Sequence, residues 1–282
     1  MTAESSAAWD SSWRASLRLR FRHKAGKTFL TERAHFGPLA VQKPFYPESP
    51  DCCHVVLLHP PGGIAGGDEL HLNVTLEGQA HGLITTPGAT KFYRSIGPIA
   101  RQEQRITLTD DATLEWLPQE TVYFNAAQAR AITRIDCTSS SRVLAWEIQC
   151  LGLPSQTHSF QSGHVFKTLE LWQDDKPLLI ESNRYDGSSP LLTQPCGLHS
   201  AEAIGSFLIR ANNQIIDKKI ILEILKKHPE LRSGCSMIQD ILVIRASATY
   251  AEPIKNLFLE LLQTIRPIVL QRPPSIPRIW LT

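Results

Sequence analysis

The stretch LHLNVTLE, Leu70 to Glu77, places Leu70, Leu72, Val74 and Leu76 on one side and His71, Asn73 and Thr75 on the other. Apolar residues at every second position mark a strand with one buried face, because successive side chains of an extended chain point in opposite directions. The same period runs through SLRLRFR, where Leu17, Leu19 and Phe21 oppose Arg18, Arg20 and Arg22. Shorter pieces follow in RITLT, TLEWL, TVYF, AITRID, RVLAWEIQ and VFKTLELW, separated by turn-rich segments such as EGQAHG, LTDDA and QDDKP. Many short strands at this spacing specify a mainly β fold: a sandwich, a barrel or a solenoid. No fixed repeat period marks a regular solenoid. EGQAHG is expected to close a hairpin between Leu70–Leu76 and Leu83–Thr86.

The C-terminal third changes character. IIDKKIILEILKKHPE carries Ile216, Ile220, Leu222 and Ile224 among lysines and fits a helix or a strand followed by a helix. AEPIKNLFLELLQTIRPIVL is a clearer helix: Pro253 suits a first turn, and Ile254, Leu257, Leu261, Leu262 and Ile265 fall on one face. The tail QRPPSIPRIWLT is too rich in proline for regular structure, yet it ends on Trp280 and Leu281, which are costly to leave in water. Residues 1–14 read as a polar tail and residues 15–282 as a single β-rich domain with this helical segment at its end.

Bulk composition narrows the function. The chain has 282 residues, 42% of them hydrophobic, and a net charge of +2. That balance demands neither nucleic acid nor an anionic membrane as a partner. No apolar run reaches the roughly 18–20 residues of a bilayer span, and the start lacks the basic-then-apolar order of a signal peptide. Six cysteines without a CxxC read as reduced thiols of a cytoplasmic protein. Cys52 and Cys53 are adjacent, so on a strand they face opposite ways and do not share one metal. They are expected to be structural, with a thiol–imidazole site involving His54 or His59 as the alternative.

The most unusual segment is HPPGGIAGGDEL, His59 to Leu70. A phosphate-binding loop needs Lys and Ser or Thr after its glycines and a helix behind them. Here Asp68 and Glu69 follow, then a strand, and two carboxylates would repel a phosphate, so the loop is not expected to hold one. A second loop, TTPGATKFYRS (Thr85 to Ser95), becomes its neighbour if the hairpin forms. Asp68 then meets Lys91 or Arg94, either as an ion pair clamping two loops or as a carboxylate held ready for a cation. Glu147, an acid between Trp146 and Ile148, is a second such carboxylate; the bland alternative is a solvent face shared with Val143 and Ala145. Glu115 and Glu120, flanking WLP, are weaker choices. HExxH, GxSxG and paired zinc motifs are absent, and His158 and His164 read as surface or core imidazoles.

Four motifs in order resemble the family of urease accessory protein D (UreD, in some bacteria UreH): GPLAVQKPFYPE at Gly37–Glu48, LLHPPGGIAGGDEL at Leu57–Leu70, TTPGATKFYRS at Thr85–Ser95, and ATLEWLPQETVYFNAAQA at Ala112–Ala129. A looser match continues through EIQCLGLPSQTHSFQSG to RPPSIPRIW. One stretch departs: where many relatives carry Gly-Arg and then Gly-Glu, this chain has Gly152-Leu153 and Thr157-His158, so a role of that glutamate does not transfer. The resemblance implies an irregular β-helix-like stack with about two C-terminal helices. It also implies a maturation scaffold rather than an enzyme, one that binds accessory protein F, the GTPase G and the urease apoprotein, in a two-fold assembly through F. Nickel is then a cargo in transit through an internal tunnel, with no cofactor held permanently; alternatives are a structural chaperone that carries no nickel or a β-rich nucleotide-binding enzyme. A conduit must bind weakly, which suits carboxylates, carbonyls and water better than a thiolate cage. Asp68 and Glu147 are the expected nickel-path residues, and Leu257, Leu261 and Trp280 the expected docking surface for F.

Overall fold

The alternating stretches become strands of a β-solenoid of about four turns, in a computed structural model that describes residues 12–153, 156, 158–211 and 216–281. In chain order the strands are β1 (Arg14–Lys24), β2 (Lys27–Phe36), β3 (Ala40–Val41), β4 (Cys52–Leu58), β5 (Glu69–Glu77), β6 (His81–Thr85), β7 (Thr90–Phe92), β8 (Ala100–Leu108) and β9 (Thr113–Leu117). They continue as β10 (Thr121–Tyr123), β11 (Gln128–Cys137), β12 (Arg142–Leu153), β13 (His158–Ser159), β14 (His164–Gln173), β15 (Lys176–Asp186), β16 (Ala203–Arg210), β17 (Arg232–Ile238) and β18 (Ile241–Ala248). Helix α1 (Lys218–Lys226) precedes β17, and α2 (Ala251–Leu270) follows β18. One sheet runs β15-β14-β11-β8-β5-β1-β2 and the second β17-β18-β16-β12-β9-β6-β4-β3, with β10 and β13 beside β12 and β7 beside β10.

The two sheets pack face to face, and the helices cover the far side of the second one. Leu17, Leu72, Val74 and Ile135 of the first sheet share a core with Val55, Leu114, Trp116 and Val143 of the second. Leu144, Trp146, Ile148 and Phe207, on the opposite face of the second sheet, share another with Leu257, Phe258, Leu261 and Ile265 of α2. This explains two kinds of sequence. Strands of the first sheet, with one wet face, alternate; β6 and β9 are buried at every position, and β4 and β12 at all but their end residues, so they read as continuous runs.

That distinction corrects the hairpin expected at EGQAHG. β5 lies in the first sheet and β6 in the second. β5 pairs in parallel with β1 and β8, and β6 with β4 and β9. Gly78, at φ +64°, helps turn a corner of the coil. HGLIT is covered on both faces, which a half-exposed hairpin strand would not be.

The C-terminal third also contains β16, β17 and β18, antiparallel strands that extend the second sheet beyond the helical character read from the sequence. In α1 the buried residues are Ile221, Ile224 and Leu225, while Ile220 and Leu222 face outward; helical spacing, not the even-numbered series, selects the buried set. α2 spans the residues expected and buries the expected face. At the other end β1 begins at Arg14, and residues 1–11 of the expected tail lie outside the described residues.

Candidate functional site

A cavity of about 290 Å³ lies among the two sheets and the loops at one end, room for on the order of ten waters. Its lining runs from Gly62, Pro87, Gly88 and Lys91, at the surface, to Gln102, Gln104, Glu147 and Lys167 between the sheets. Glu147 alternates with Ile148 and therefore shares the inward face of β12 with Val143 and Ala145. That face is packed on the first sheet, so the solvent-face alternative is overturned: Glu147 is 7% exposed. Its Oε2 lies 2.6 Å from Lys167 Nζ, and its Oε1 is 2.6 Å from the Thr133 hydroxyl, which is also 2.8 Å from Gln104 Oε1. Lys167 further donates to the Thr168 carbonyl at 3.3 Å. Trp116 Nε1 and Tyr123 Oη, on cavity-lining residues, are buried without a partner among the described residues. Burial raises the Tyr123 phenol pKa, and the charge of Glu147 adds to the effect. Sequence reasoning missed Lys167, although a lysine in series with Val165, Leu169 and Leu171 on one strand face is a visible anomaly.

The two loops meet, for a different reason than a hairpin. β4 and β6 run parallel, so the segments after them leave side by side; Ile64 N donates to the Lys91 carbonyl at 2.7 Å and Tyr93 N to the Ile64 carbonyl at 2.9 Å. A Cβ on Gly63 would stand 2.4 Å from the Tyr93 ring, so a larger residue there would push that half-exposed ring aside. His59, on the cavity wall, has its pKa lowered by burial, an effect that Asp68 partly offsets.

A second polar cluster lies on the other face of the second sheet, beneath α2. Arg266, fully buried, is bonded through Nε to Glu115 Oε2 at 2.9 Å and through Nη2 to Glu115 Oε1 at 3.0 Å. Nη2 also lies 2.7 Å from Glu48 Oε2, and Nη1 donates to the Pro273 carbonyl. His81 Nε2 sits 2.7 Å from Glu115 Oε1, and His54 Nε2 2.7 Å from Glu48 Oε1. Burial pushes the Glu48 carboxyl up, but His54 and Arg266 outweigh it and bring its pKa down to about 2. Glu115 is lowered in the same way by His81 and Arg266, against burial.

With this geometry in hand, comparison with known proteins is direct. Residues 14–281 match the family model described as UreD urease accessory protein. Similar relatives are named urease accessory protein UreD. That of Alcanivorax borkumensis is 40% identical over 274 residues, 96% of this chain and 92% of that one. That of Escherichia coli is 40% identical over 276 residues, covering 96% and 98%. That of Klebsiella aerogenes is 40% identical over 273 residues, covering 96% and 97%. The chain belongs to the UreD family.

The remaining residues flagged in the sequence of this UreD-family chain have definite places. Asp68 is buried and makes no ion pair with Lys91 or Arg94; its two oxygens accept from the backbone N–H groups of Trp13 at 2.8 Å and Ala65 at 2.9 Å. The expected clamp fails because backbone donors already fill the carboxylate. Asp68 also lies outside the cavity lining. Leu257 and Leu261 are fully buried against the second sheet, so they present no docking surface. Trp280 is drawn onto the body: its indole N–H is 3.1 Å from Thr85 Oγ1, and its ring stacks on Trp146 at 5.8 Å. His158 lines a separate surface pocket with Tyr93, Arg94 and Phe124. Cys52 and Cys53 do face opposite ways, Cys53 into the core between the sheets and Cys52 toward the helix-side cluster. No helix of the described residues is long and apolar enough to cross a membrane.

Proposed function

We propose that this urease accessory protein is a non-catalytic cytoplasmic scaffold that joins accessory proteins F and G to the urease apoprotein, in a two-fold assembly through F. Its cargo is nickel, which passes through the cavity between the sheets. The observation that supports conduction is the polar interior: a carboxylate, a lysine, two glutamines and a threonine hydroxyl meet inside a β-stack that packs apolar residues elsewhere. Such groups lower the cost of stripping water from a divalent ion without holding it tightly. Glu147 is the carboxylate best placed to meet the ion; Asp68 shapes the loop beside the entrance.

One observation favours the alternative, a chaperone of apo-urease that carries no metal. Lys167 already neutralises Glu147, so a passing dication must displace an ammonium. Ala131, on the cavity wall, separates the readings. Ala131→Phe should leave co-purification with F, G and apo-urease intact while reducing the nickel content of urease at least severalfold. Normal nickel loading with a filled cavity would establish the chaperone reading instead.

A further inference from the structure

We propose that Cys52, His81 and Glu115, with Glu48 and His54 beside them, form a site for one borderline divalent transition-metal ion, separate from the cavity between the sheets. The three residues come from neighbouring parallel strands, β4, β6 and β9, and all face α2. One ligand atom from each lies within 4.8 Å of the others, and Glu48, Cys52 and His54 form a second such group that shares the thiol. Tetrahedral ligation at roughly 2.0–2.3 Å sets ligand atoms about 3.3–3.8 Å apart, so side-chain adjustments of about 1 Å close the site on fixed strands. A thiolate, an imidazole and a carboxylate suit zinc, cobalt or nickel rather than magnesium or calcium.

Two further features point to an ion. His54 is 1% exposed, and its Nδ1 has no hydrogen-bond partner. Charge is the other. Two carboxylates, Glu48 and Glu115, meet one guanidinium, Arg266, in a buried place. When a dication binds, the Cys52 S–H bond breaks, a metal–sulfur bond forms and the proton leaves to solvent. Three negative charges then face three positive ones. Burial together with Glu115 and Glu48 disfavours a bare thiolate, so the thiol ionises with the metal and not before it. Arg266 holds both oxygens of Glu115, so the ion competes with it for the carboxylate, which keeps the affinity moderate and the ion exchangeable.

Titrating the full-length chain with Co²⁺ tests this. One equivalent should produce a near-ultraviolet thiolate-to-cobalt absorption band. Ni²⁺ and Zn²⁺ should displace the cobalt, and Mg²⁺ should not. Cys52→Ser should abolish the band and weaken binding by at least about tenfold, while Cys53→Ser keeps both. No band, or a band that survives in a folded Cys52→Ser protein, overturns the site. Should Cys52→Ser fail to fold, X-ray absorption of the unaltered protein decides: one sulfur with nitrogen and oxygen neighbours supports the site, and a sulfur-free shell overturns it. The readout uses the chain without urease, so it is independent of the Ala131→Phe result on conduction.

Discussion

Arg266 carries a charge into a layer otherwise filled by Leu262, Ile265 and Val269, and only its two carboxylate partners make that tolerable. A buried guanidinium keeps its charge at any ordinary pH, so the acids set the response of the cluster. Glu48 has a pKa of about 2 in the fold against 4.5 for a free side chain. The stability it supplies is therefore complete above about pH 4.5 and is lost as the pH falls toward 2. Glu48→Gln should cost about 1–3 kcal/mol at pH 7, read from urea denaturation, and the difference from the unaltered protein should shrink at pH 3. An equal cost at both pH values would mean that the carboxylate charge is not what Glu48 contributes. Arg266 escaped a reading of the sequence because one arginine among the buried positions of a helix looks like the edge of its polar face. The partner that explains it, Glu115, lies 151 residues away.

At the scale of elements, α2 is placed by a close approach. A Cβ on Gly205 of β16 would stand 2.6 Å from Ile254 Cγ2 and 2.9 Å from the Phe258 ring, so the helix seats only over a glycine. Gly205→Ala should destabilise by about 1–3 kcal/mol through overpacking, seen as a lower urea midpoint. An unchanged midpoint would show that α2 can ride outward freely. The extent of α2 and its buried face were legible from spacing alone, as were β1 and β5, because each has one wet and one dry side. What escaped was the pairing: TLEWL, RVLAWEIQ and Leu83–Thr86 read as strands, but not which strands lie beside them. The corner at Gly78 and the parallel partners of β6 leave no periodic mark, since parallel neighbours are supplied by the next turn of the coil. The docking role given to Leu257 and Leu261 failed for a related reason. An apolar helix face in a sequence does not reveal whether a sheet of the same chain already covers it. Arg272 bonds Asp51 and Trp280 packs on Trp146, so removing the tail would unsettle the fold as well as any contact with F.

Taken whole, the molecule is three layers, and ionic groups lie in both interlayer spaces: Glu147 with Lys167 between the sheets, and the Arg266 group beneath the helices. The second also ties α2 to the second sheet; the first joins strands that the coil already holds in place. A stack whose sheets meet through leucines and valines does not require an ion pair at its middle, and replacing such a pair with apolar residues of similar size is commonly neutral or stabilising. Glu147→Leu alone should cost about 3–5 kcal/mol, because it leaves Lys167 buried and unpaired. Glu147→Leu combined with Lys167→Met should recover most of that loss in a thermal melt. If the pair serves passage of nickel, the double variant will be as stable as the unaltered chain and still assemble with its partners, yet yield urease as poor in nickel as Ala131→Phe does. If its urease is fully loaded, the polar interior is architectural and conduction fails, while the cobalt site at Cys52, which faces the other way across the second sheet, is untouched by that result.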